Sequence, residues 1–562
     1  MVAMTQLRMT AVGWFCICAC ASLLACGGDD DAPGGGTGGT GGSGGTGGTG
    51  GTGGTGGTGG SGGDSWVCEA APNGSELHVA LDGDDSNAGT IDAPFGTFGA
   101  AVTQAQPGDV IYVREGTYGQ DHAMVRGVAR DYDSYPATSC PSGEVLADEY
   151  CFHDTYAFIA LRDFTGWASD SEPYEVQSGT ADLPISICAY PGEHVTLDAT
   201  GWSQRAVAVG LEAYWTIADF EIIGGMVNIG GGTADAQPHD IVIRRNDVHD
   251  ITVDGGDNPG IVRIDRGDLN GPYNIYVWDN ELHAIYDIDQ PGQWQDVPDA
   301  QHFGAVTTLS RENYLGFEGG GTGTIEIIGN TLYHLPQVFF FKNPMAGPIE
   351  IRDNIIYDSG RLGIMGSANV HMAHNLVVDI SSQWWAVGNG GYDDENLHAI
   401  AGQDAIIEYN TFVGIDSLLG IRCGTGHLVQ YNVLFGLTGS TDGAGWDTPS
   451  FIRKSETFPD ALDPAQSILQ EMSSNHNCFI TPHSDFQLVS RYVPPEVTGS
   501  DWQIDHFDHE QAQALFGFDT DSTVIIETDP ANIFVDPDGG DFQLSDPSQC
   551  PDMGYFAYPG EG

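Results

Sequence analysis

Lysine is scarce in this 562-residue chain, and one of its two copies stands where it could do chemistry. Lys342 follows Phe339-Phe340-Phe341, so period-two alternation sends Phe339 and Phe341 inward and leaves Lys342 facing out. An amine whose pKa is lowered by burial or by a nearby cation can act as a general base. The alternative is structural, an ion pair between Lys342 and a loop carboxylate, and the sequence leaves both interpretations open.

Three further basic side chains occur in comparable apolar runs: Arg263 in Gly-Ile-Val-Arg-Ile-Asp, Arg422 in Leu-Gly-Ile-Arg-Cys and His302 in Gln-His-Phe-Gly. We predict that Lys342, His302 and Arg422 are catalytic and that Arg263 binds substrate. His302 could act as the partner acid, or could lower the pKa of Lys342 when it is protonated.

Aromatic residues are frequent in the long segments between the predicted strands. Sugar rings stack on such side chains, which predicts substrate binding by Trp294, Trp384, Trp385 and Tyr392. In the alternative interpretation these rings form the small cores of loops that pack on themselves.

Oxygen ligands are concentrated in Asp254-Gly-Gly-Asp257-Asn258, so Asp254 and Asp257 are predicted metal ligands and calcium is the expected cofactor. A carboxylate pair for glycoside hydrolysis cannot be singled out among 78 acidic residues. The sequence shows no nucleotide-binding loop, zinc-type spacing or nucleophile elbow.

A repeat must position these residues. Asparagine recurs in one local frame, with apolar residues commonly three and five positions before it and two after it, at positions 246, 280, 330, 354, 375, 410, 432 and 477. The pattern predicts a strand, a polar corner and a second strand, stacked as a solenoid with its asparagines in a ladder. A β-sandwich would not place one residue type in so many consecutive frames.

The longer intervals between asparagines place their extra residues at 252–274, 286–324, 381–404 and 438–474, on one side of the solenoid. Insertions confined to one face of a repeat protein usually build its binding face. The strand before Lys342 leads into these loops. His302 would lie on the preceding rung, about 4.8 Å away, and Arg422 about three rungs further on.

The repeat, the opening segment Leu77-His78-Val79-Ala80 and the run Pro107-Gly108-Asp109-Val110 resemble the right-handed parallel β-helix proteins of the pectate-lyase-like type, over roughly residues 75–545. The resemblance implies an all-β fold with a single right-handed parallel β-helix, long loops on one face, and an N-terminal cap formed by a helix at 95–105.

Lyases of this resembled type use a lysine or arginine to remove the proton beside a uronate carboxylate, which calcium neutralises. The chain departs from the alginate-lyase-like relatives in two places. Leu335-Pro336-Gln337 replaces their acidic calcium ligands, and Met365 replaces an arginine.

Residues 1–26 form a targeting segment that ends in Leu23-Leu24-Ala25-Cys26, which resembles the lipobox of bacterial lipoproteins. The resemblance implies lipidation of Cys26 and an anchor in the outer membrane, with the protein at the cell surface. Residues 27–76 are a Gly/Thr-rich disordered linker, residues 77–545 the β-helix domain and residues 546–562 a C-terminal tail. A monomer is expected.

Acidic residues outnumber basic residues by 78 to 18, a formal net charge of −60. Such a surface repels polyanions unless divalent cations intervene, so nucleic acid is not an expected partner. An acidic, lysine-poor surface is also typical of a protein that lives in high salt.

Two of the cysteines, Cys140 and Cys151, are predicted to form a disulfide on a long loop, as expected for an exported protein. The other five cysteines after Cys26 form an odd set, so at least one is expected to be a free thiol: 68, 188, 423, 478 and 550.

These features predict a cell-surface β-helix lipoprotein that acts on or binds extracellular polysaccharide. The sequence leaves open whether it is an enzyme, and if so whether a lyase or a glycoside hydrolase. The alternative is a non-catalytic carbohydrate-binding, adhesive or structural surface protein.

Overall fold

A computed structural model describes the following residues: 66–129, 145–147, 150–161, 175–203, 205–230, 237–253, 260–266, 272–287, 304–310, 323–341, 348–365, 369–380, 397–399, 404–415, 418–421, 426–436, 450–455, 471–482, 486–493, 498 and 503–557. Residues 67–558 belong to one compact unit.

Short strands make up most of the described residues. The first seventeen are β1 (Glu76–Val79), β2 (Val110–Val113), β3 (Gly116–Tyr118), β4 (Met124–Ala129), β5 (Val145–Ala147), β6 (Tyr150–Ala157), β7 (Ile159–Leu161), β8 (Ile185–Ala189), β9 (Val195–Asp198), β10 (Arg205–Val209), β11 (Ala213–Ala218), β12 (Glu221–Ile223), β13 (Met226–Gly230), β14 (His239–Arg244), β15 (Asp247–His249), β16 (Ile251–Val253) and β17 (Gly260–Arg266).

The central strands are β18 (Tyr273–Trp278), β19 (Glu281–His283), β20 (Ile285–Asp287), β21 (Gly304–Ser310), β22 (Ile325–Ile328), β23 (Thr331–Tyr333), β24 (Gln337–Phe341), β25 (Ile349–Arg352), β26 (Ile355–Ser359), β27 (Arg361–Met365), β28 (Val370–Ala373), β29 (Leu376–Ile380) and β30 (Leu397–Ala399).

The last strands are β31 (Ile406–Glu408), β32 (Thr411–Val413), β33 (Leu419–Ile421), β34 (Leu428–Gln430), β35 (Val433–Phe435), β36 (Ser450–Ser455), β37 (Ser473–Asn475), β38 (Cys478–Thr481), β39 (Gln487–Val493), β40 (Gln503–Asp508), β41 (Thr523–Ile526), β42 (Phe534–Asp536) and β43 (Asp541–Leu544). Helices α1 (Phe98–Gln104) and α2 (His509–Phe516) lie near the two ends of the strand series, and single 3₁₀ turns occur at Gln120–His122, Pro530–Asn532, Pro537–Gly539 and Tyr555–Ala557.

The strands form three long sheets that run side by side along the molecule. Sheet A has the order β1-β2-β8-β11-β14-β18-β22-β25-β28-β31-β34-β37, sheet B the order β3-β9-β12-β15-β19-β23-β26-β29-β32-β35-β38-β41, and sheet C the order β7-β10-β13-β17-β21-β24-β27-β30-β33-β36-β39-β40. Neighbouring strands are parallel, apart from the antiparallel pair β39–β40 at the end of sheet C. The predicted all-β solenoid is therefore confirmed.

Each rung crosses from sheet A to sheet B through a two-residue corner that contains the repeated asparagine. The residue before the asparagine has a left-handed φ, for example 61° at Asp353 and 54° at Tyr409. Each asparagine side chain then bonds the next rung, as when Asn330 Nδ2 donates to Asn354 Oδ1 at 3.0 Å. The ladder is continuous from Asn246 to Asn477, so the predicted Asn ladder is confirmed.

The predicted inward columns form the core. Side chains five before, three before and two after each asparagine are buried, and Ile327, Ile351 and Ile407 share one inner column of sheet A. Their burial against successive rungs supplies the main stabilisation of a solenoid, since no rung can bury its apolar face alone.

Helices close both ends of this core. Phe98, Ala101 and Val102 of α1 are buried against the first strands, so the predicted helix over the N-terminal end of the solenoid is confirmed. The helix itself begins at Thr97, whose hydroxyl accepts a bond from the backbone N–H of Ala100. At the other end, α2 begins with a capping box between Asp508 and Gln511. These ends cover strand edges that would otherwise be free to pair.

The C-terminal segment lies on the outside of sheet B. Ile533, Phe534, Phe542 and Met553 pack with outward residues of that sheet, Leu376, Val413, Val433 and Phe435 among them. The last strand of the solenoid, β41, ends at Ile526. The boundary predicted at residue 545 thus falls inside a segment that straps the outer face.

Disulfides join Cys68 to Cys188, with Cα atoms 6.7 Å apart, and Cys478 to Cys550, 5.6 Å apart. Cys151 lies in β6, whereas Cys140 and Cys423 are outside the described residues, so the predicted Cys140–Cys151 pair stays a prediction. Within the described part of the chain, no helix is long and apolar enough to cross a bilayer.

Candidate functional site

Insertions in the solenoid adjoin sheet C at both ends of its strands. The corner from sheet A to sheet B has two residues throughout the asparagine ladder, whereas β21 is preceded by residues 288–303 and followed by residues 311–324. Strand β36 is flanked in the same way, by residues 436–449 and 456–472, whereas β30 follows a long segment, residues 381–396, but precedes β31 by only six residues. The predicted one-sided insertions are therefore not single loops, because each of the four ranges contains a sheet C strand.

The outward column of sheet C is buried on four consecutive rungs. Asn228, Arg263, Thr307 and Phe340 are in register with one another and are 6%, 4%, 0% and 2% exposed. Phe339 and Phe341 face the core as predicted, but outward Phe340 is covered as well. Arg263, predicted to bind substrate, therefore lies beneath the molecular surface.

Most of the predicted site residues lie outside the described residues: Lys342, His302, Arg422, Trp294, Trp384, Trp385, Tyr392, Asp254 and Asp257. The strands beside three of them are in the expected order. Strand β21, which begins two residues after His302, pairs with β24, which ends one residue before Lys342. Strand β33, which ends one residue before Arg422, lies three strands beyond β24.

The register of β21 and β24 bears on the predicted pairing of His302 with Lys342. Thr308 lies opposite Phe341, so Gly304 at the start of β21 is four residues, or about 13 Å, from Phe341 along the strand direction. Contact between His302 and Lys342 would have to bridge that length, and their partnership stays a prediction. Met365 lies opposite Phe341, on the rung that follows β24, as expected for the residue that replaces an arginine of the resembled lyases.

The outer face of sheet A carries a carboxylate–imidazole–carboxylate cluster that the sequence analysis did not single out. Glu350 Oε2 lies 2.9 Å from His371 Nδ1, and Glu408 Oε1 lies 3.2 Å from Nε2 of the same ring. Hydrogen bonds to Glu350 and Glu408 raise the pKa of His371 to about 9. The ring therefore keeps its proton at neutral pH, which suits charge neutralisation between two rungs better than general-base catalysis.

Glu326 extends this column by one rung, in register with Glu350. Burial raises the pKa of Glu326, while the charge of Arg352 acts in the opposite direction. Two carboxylates and one imidazolium thus occupy three consecutive rungs of this column.

The outer face of sheet B carries a second group that sequence reasoning missed. His249, His283, Tyr333 and Tyr357 occupy one column and stack ring on ring, with centroids 4.8, 4.4 and 4.8 Å apart. The signal was present, because each ring is the third residue after a ladder asparagine. The repeat that predicted the ladder therefore also placed these rings on consecutive rungs.

Sequence comparison places the first half of the solenoid beside known β-helix proteins. Residues 77–296 match a family model described as "Pel9A-like, right handed beta helix region". The pectate lyase PEL9 of Emericella nidulans is 25% identical over 200 residues, which span 32% of this chain and 36% of that relative. The fold is that of a pectate-lyase-like β-helix. The sequence match covers only about a third of the curated relative.

Several solved structures align with this chain at low identity and with low TM-scores. The alignment with a rhamnogalacturonan lyase covers 64% of this chain and 82% of that lyase, with 15% identity and a TM-score of 0.38. The pectate lyase Pel9A gives 14% identity and 0.30, over 64% and 75% of the two chains. A GH136 lacto-N-biosidase from Eubacterium ramulus gives 13% and 0.34, over 81% and 68%. Similarity at this level carries no argument about activity.

Proposed function

We propose that this β-helix protein cleaves an acidic extracellular polysaccharide in a cleft over sheet C. The observation that carries the proposal is the convergence of insertions on both ends of the sheet C strands, since a repeat protein builds its binding face where its repeats are extended. The match of residues 77–296 to the Pel9A-like family model supports the substrate class. The match includes β17, a strand of sheet C, and the segments on both sides of it.

The reaction we propose is β-elimination at a uronate residue. A base removes the proton on the carbon beside the carboxylate, the electron pair forms a carbon–carbon double bond, and the glycosidic oxygen leaves with a proton from a general acid. Lys342 is the proposed base. It directly follows β24, and the proposal requires that burial or a neighbouring cation lower its pKa.

Calcium fits the proposed site by the chemistry of its predicted donors. The segment Asp254-Gly-Gly-Asp257-Asn258 precedes β17 and offers the carboxylate and amide oxygens that Ca²⁺ prefers. When bound, the ion would supply positive charge beside the substrate carboxylate. With a net charge of −60, the protein would otherwise repel an acidic polymer.

The location of the enzyme is part of the same proposal. Lipidation at Cys26 would tether the β-helix to the outer membrane through the Gly/Thr-rich linker, with the domain free to reach polymer outside the cell. The Gly/Thr repeat of this linker, from Gly34 to Gly63, has a root-mean-square reach of roughly 30 Å. The anchor and the substrate class are independent of one another and need separate tests.

The test is a screen of the chain from Gly27 onward against neutral and uronate-containing polysaccharides, with and without calcium. Elimination is detected by the ultraviolet absorbance of the unsaturated product, and hydrolysis by new reducing ends without that absorbance. We expect calcium-dependent elimination on a uronate polymer. Reducing ends alone would show a glycoside hydrolase, and retention of polymer without cleavage would show a carbohydrate-binding protein; either result would overturn the lyase proposal.

A further inference from the structure

We propose that Asp247, His249 and His283 form a binding site for a borderline transition-metal cation of the Zn²⁺ class on the outer face of sheet B. The three side chains each offer one ligand atom, and these atoms lie within 4.8 Å of one another. Two imidazoles and a carboxylate are a donor set that Zn²⁺ commonly takes, with oxygen and nitrogen bonds of about 2.0–2.2 Å.

The repeat brings the ligands together. Asp247 and His249 are the first and third residues of β15, so both project outward on either side of buried Val248. His283 holds the same position in β19 as His249 does in β15. The two rings stack with an interplanar angle of 10°.

The ligand atoms of His283 and Asp247 are already separated by nearly the distance between two ligands of one Zn²⁺ ion. His283 Nε2 lies 3.1 Å from Asp247 Oδ1, and two ligands of a tetrahedral Zn²⁺ are roughly 3.4 Å apart at the usual bond lengths. His249 must approach the other two, a movement that rotation of its partly exposed side chain can supply. It is 13% exposed, and His283 17%, so the site is open on one side.

Neighbouring side chains hold the ligands in orientations that suit metal binding. Asp250 Oδ2 lies 2.9 Å from His249 Nδ1, and a bond from that N–H leaves Nε2 with a free electron pair. Glu221 Oε1 lies 3.5 Å from His249 Nε2 and could provide a fourth ligand. The ring of His283 is fixed between His249 and Tyr333.

The site is separate from the cleft proposed over sheet C, and a bound ion would join three rungs of sheet B through β12, β15 and β19. Without a metal, the same nitrogen and oxygen atoms would be joined by hydrogen bonds. Only a measurement of metal binding therefore distinguishes a metal site from a hydrogen-bonded cluster. The inference does not depend on whether the protein is a lyase, because its readout is binding of the metal itself.

The experiment is a calorimetric titration with Zn²⁺ of the full chain, without a polyhistidine tag, after treatment with a chelator. Excess Mg²⁺ occupies sites made of carboxylates alone. We expect one tight Zn²⁺ per chain. Asp247→Asn, an isosteric change at a residue that is 42% exposed, and His283→Ala should each weaken binding by about tenfold or more.

The matched control is His334→Ala. His334 Nε2 lies 3.1 Å from Asp358 Oδ2 in an exposed pair. Zn²⁺ binding should be unchanged in this variant, and Co²⁺ should give a visible ligand-field spectrum in the parent and in His334→Ala but not in Asp247→Asn. The proposal is overturned if the parent binds no stoichiometric Zn²⁺, or if Asp247→Asn and His283→Ala bind as the parent does.

Discussion

At the scale of single residues, the most informative group is His371 between Glu350 and Glu408. Its pKa of about 9 lies above the ordinary value of 6.5, because both neighbours accept hydrogen bonds from the imidazolium. A raised pKa contributes stability that is complete below pH 6.5 and is lost as the pH rises through about 9. The shift corresponds to roughly 2–3 kcal/mol of folding free energy, allowing for its partial exposure.

We therefore expect His371→Gln to lose about 2 kcal/mol of unfolding free energy at pH 6 and much less at pH 10. Urea denaturation across that range measures the difference. His334→Gln is the control, since its exposed ion pair should contribute less than about 1 kcal/mol at any pH. A His371→Gln penalty that stays constant from pH 6 to pH 10 would contradict this account of the cluster.

Asp519 leads to a second prediction, in which replacing the titratable group stabilises the protein. It ends the asparagine ladder, is fully buried, and accepts bonds from Asn477 and from the hydroxyls of Ser474 and Ser522. Burial raises the pKa of this carboxyl, against the effect of those hydrogen bonds. The stability it contributes is therefore lost as the pH rises through the folded-state pKa.

Asp519→Asn should consequently raise the melting temperature, and the gain should be larger at pH 8 than at pH 5. An asparagine continues the ladder chemistry, and its amide can donate to Ser474. Thermal unfolding at the two pH values checks this, with Asp521→Asn on the exposed surface as control. A lower melting temperature for Asp519→Asn at pH 8 would show that the carboxylate is itself stabilising.

At the scale of the element, each corner combines backbone strain with a buried amide network. A non-glycine residue in the left-handed region costs about 1 kcal/mol, and Gly329 is the glycine that occupies this position in the ladder. Stacking offsets part of that cost at the corners of Tyr409, Tyr431 and His476, whose rings lie 4.9 and 5.0 Å apart.

Replacing one ladder residue should show how much the network contributes. Asn354 Oδ1 accepts from both the backbone N–H and the side-chain amide of Asn330, so Asn354→Ala leaves two buried donors without their acceptor. We expect a loss of about 3 kcal/mol or more in urea unfolding. Asn475→Ala, which removes an exposed bond to Asp521, should cost less than about 1 kcal/mol. Equal costs for the two variants would contradict a special role for the ladder.

Periodicity explains which parts of this fold could be predicted. The inward columns, the ladder and the cap helix follow from spacing and local chemistry, as at Ile327 and Ile351. The burial of Phe340 does not follow, because it depends on the paths of insertions that carry no period. The contact of Phe534 and Phe542 with Val433 and Phe435 was missed for the same reason, although outward apolar residues on a strand do indicate a cover.

The candidate site was less predictable than the fold. Spacing placed Lys342 and Arg422 beside sheet C strands in the right order, but it did not fix which end of a strand each adjoins. The histidines of sheet B, His249 and His283, lie on short strands of the regular repeat and not in the long insertions. Each of them is the third residue after a ladder asparagine, so the repeat itself indicates that they lie on neighbouring rungs.

At the scale of the whole molecule, the β-helix is closed at both ends and strapped on sheet B, while sheet C adjoins the insertions. The Cys478–Cys550 disulfide ties the strap to the solenoid across 72 residues of sequence. The long insertions therefore adjoin one of the three faces, and a repeat protein usually builds its binding face where its repeats are extended.

The predicted anchor is a property of the whole molecule as well. Cys26→Ala should release the protein from the membrane fraction, because acylation is the proposed attachment. Fractionation with and without detergent measures this, and metabolic labelling with a fatty acid provides a direct readout. Cys423→Ala is the control and should remain with membranes. Membrane partitioning of Cys26→Ala equal to that of the parent would refute the lipid anchor.

The central claim is that an elimination reaction takes place over sheet C with Lys342 as its base. Its most direct test is the initial rate of unsaturated product formation by Lys342→Ala, on the polysaccharide that the screen identifies, beside Lys454→Ala. Lys454 is the chain's other lysine and lies in β36, four strands along sheet C from β24. The account predicts that Lys342→Ala loses about 10²-fold or more of the rate with an unchanged melting temperature, the usual scale of a lost general base, while Lys454→Ala stays within about threefold of the parent, as expected away from the base. A Lys342→Ala variant that forms the product at the parent rate would contradict it.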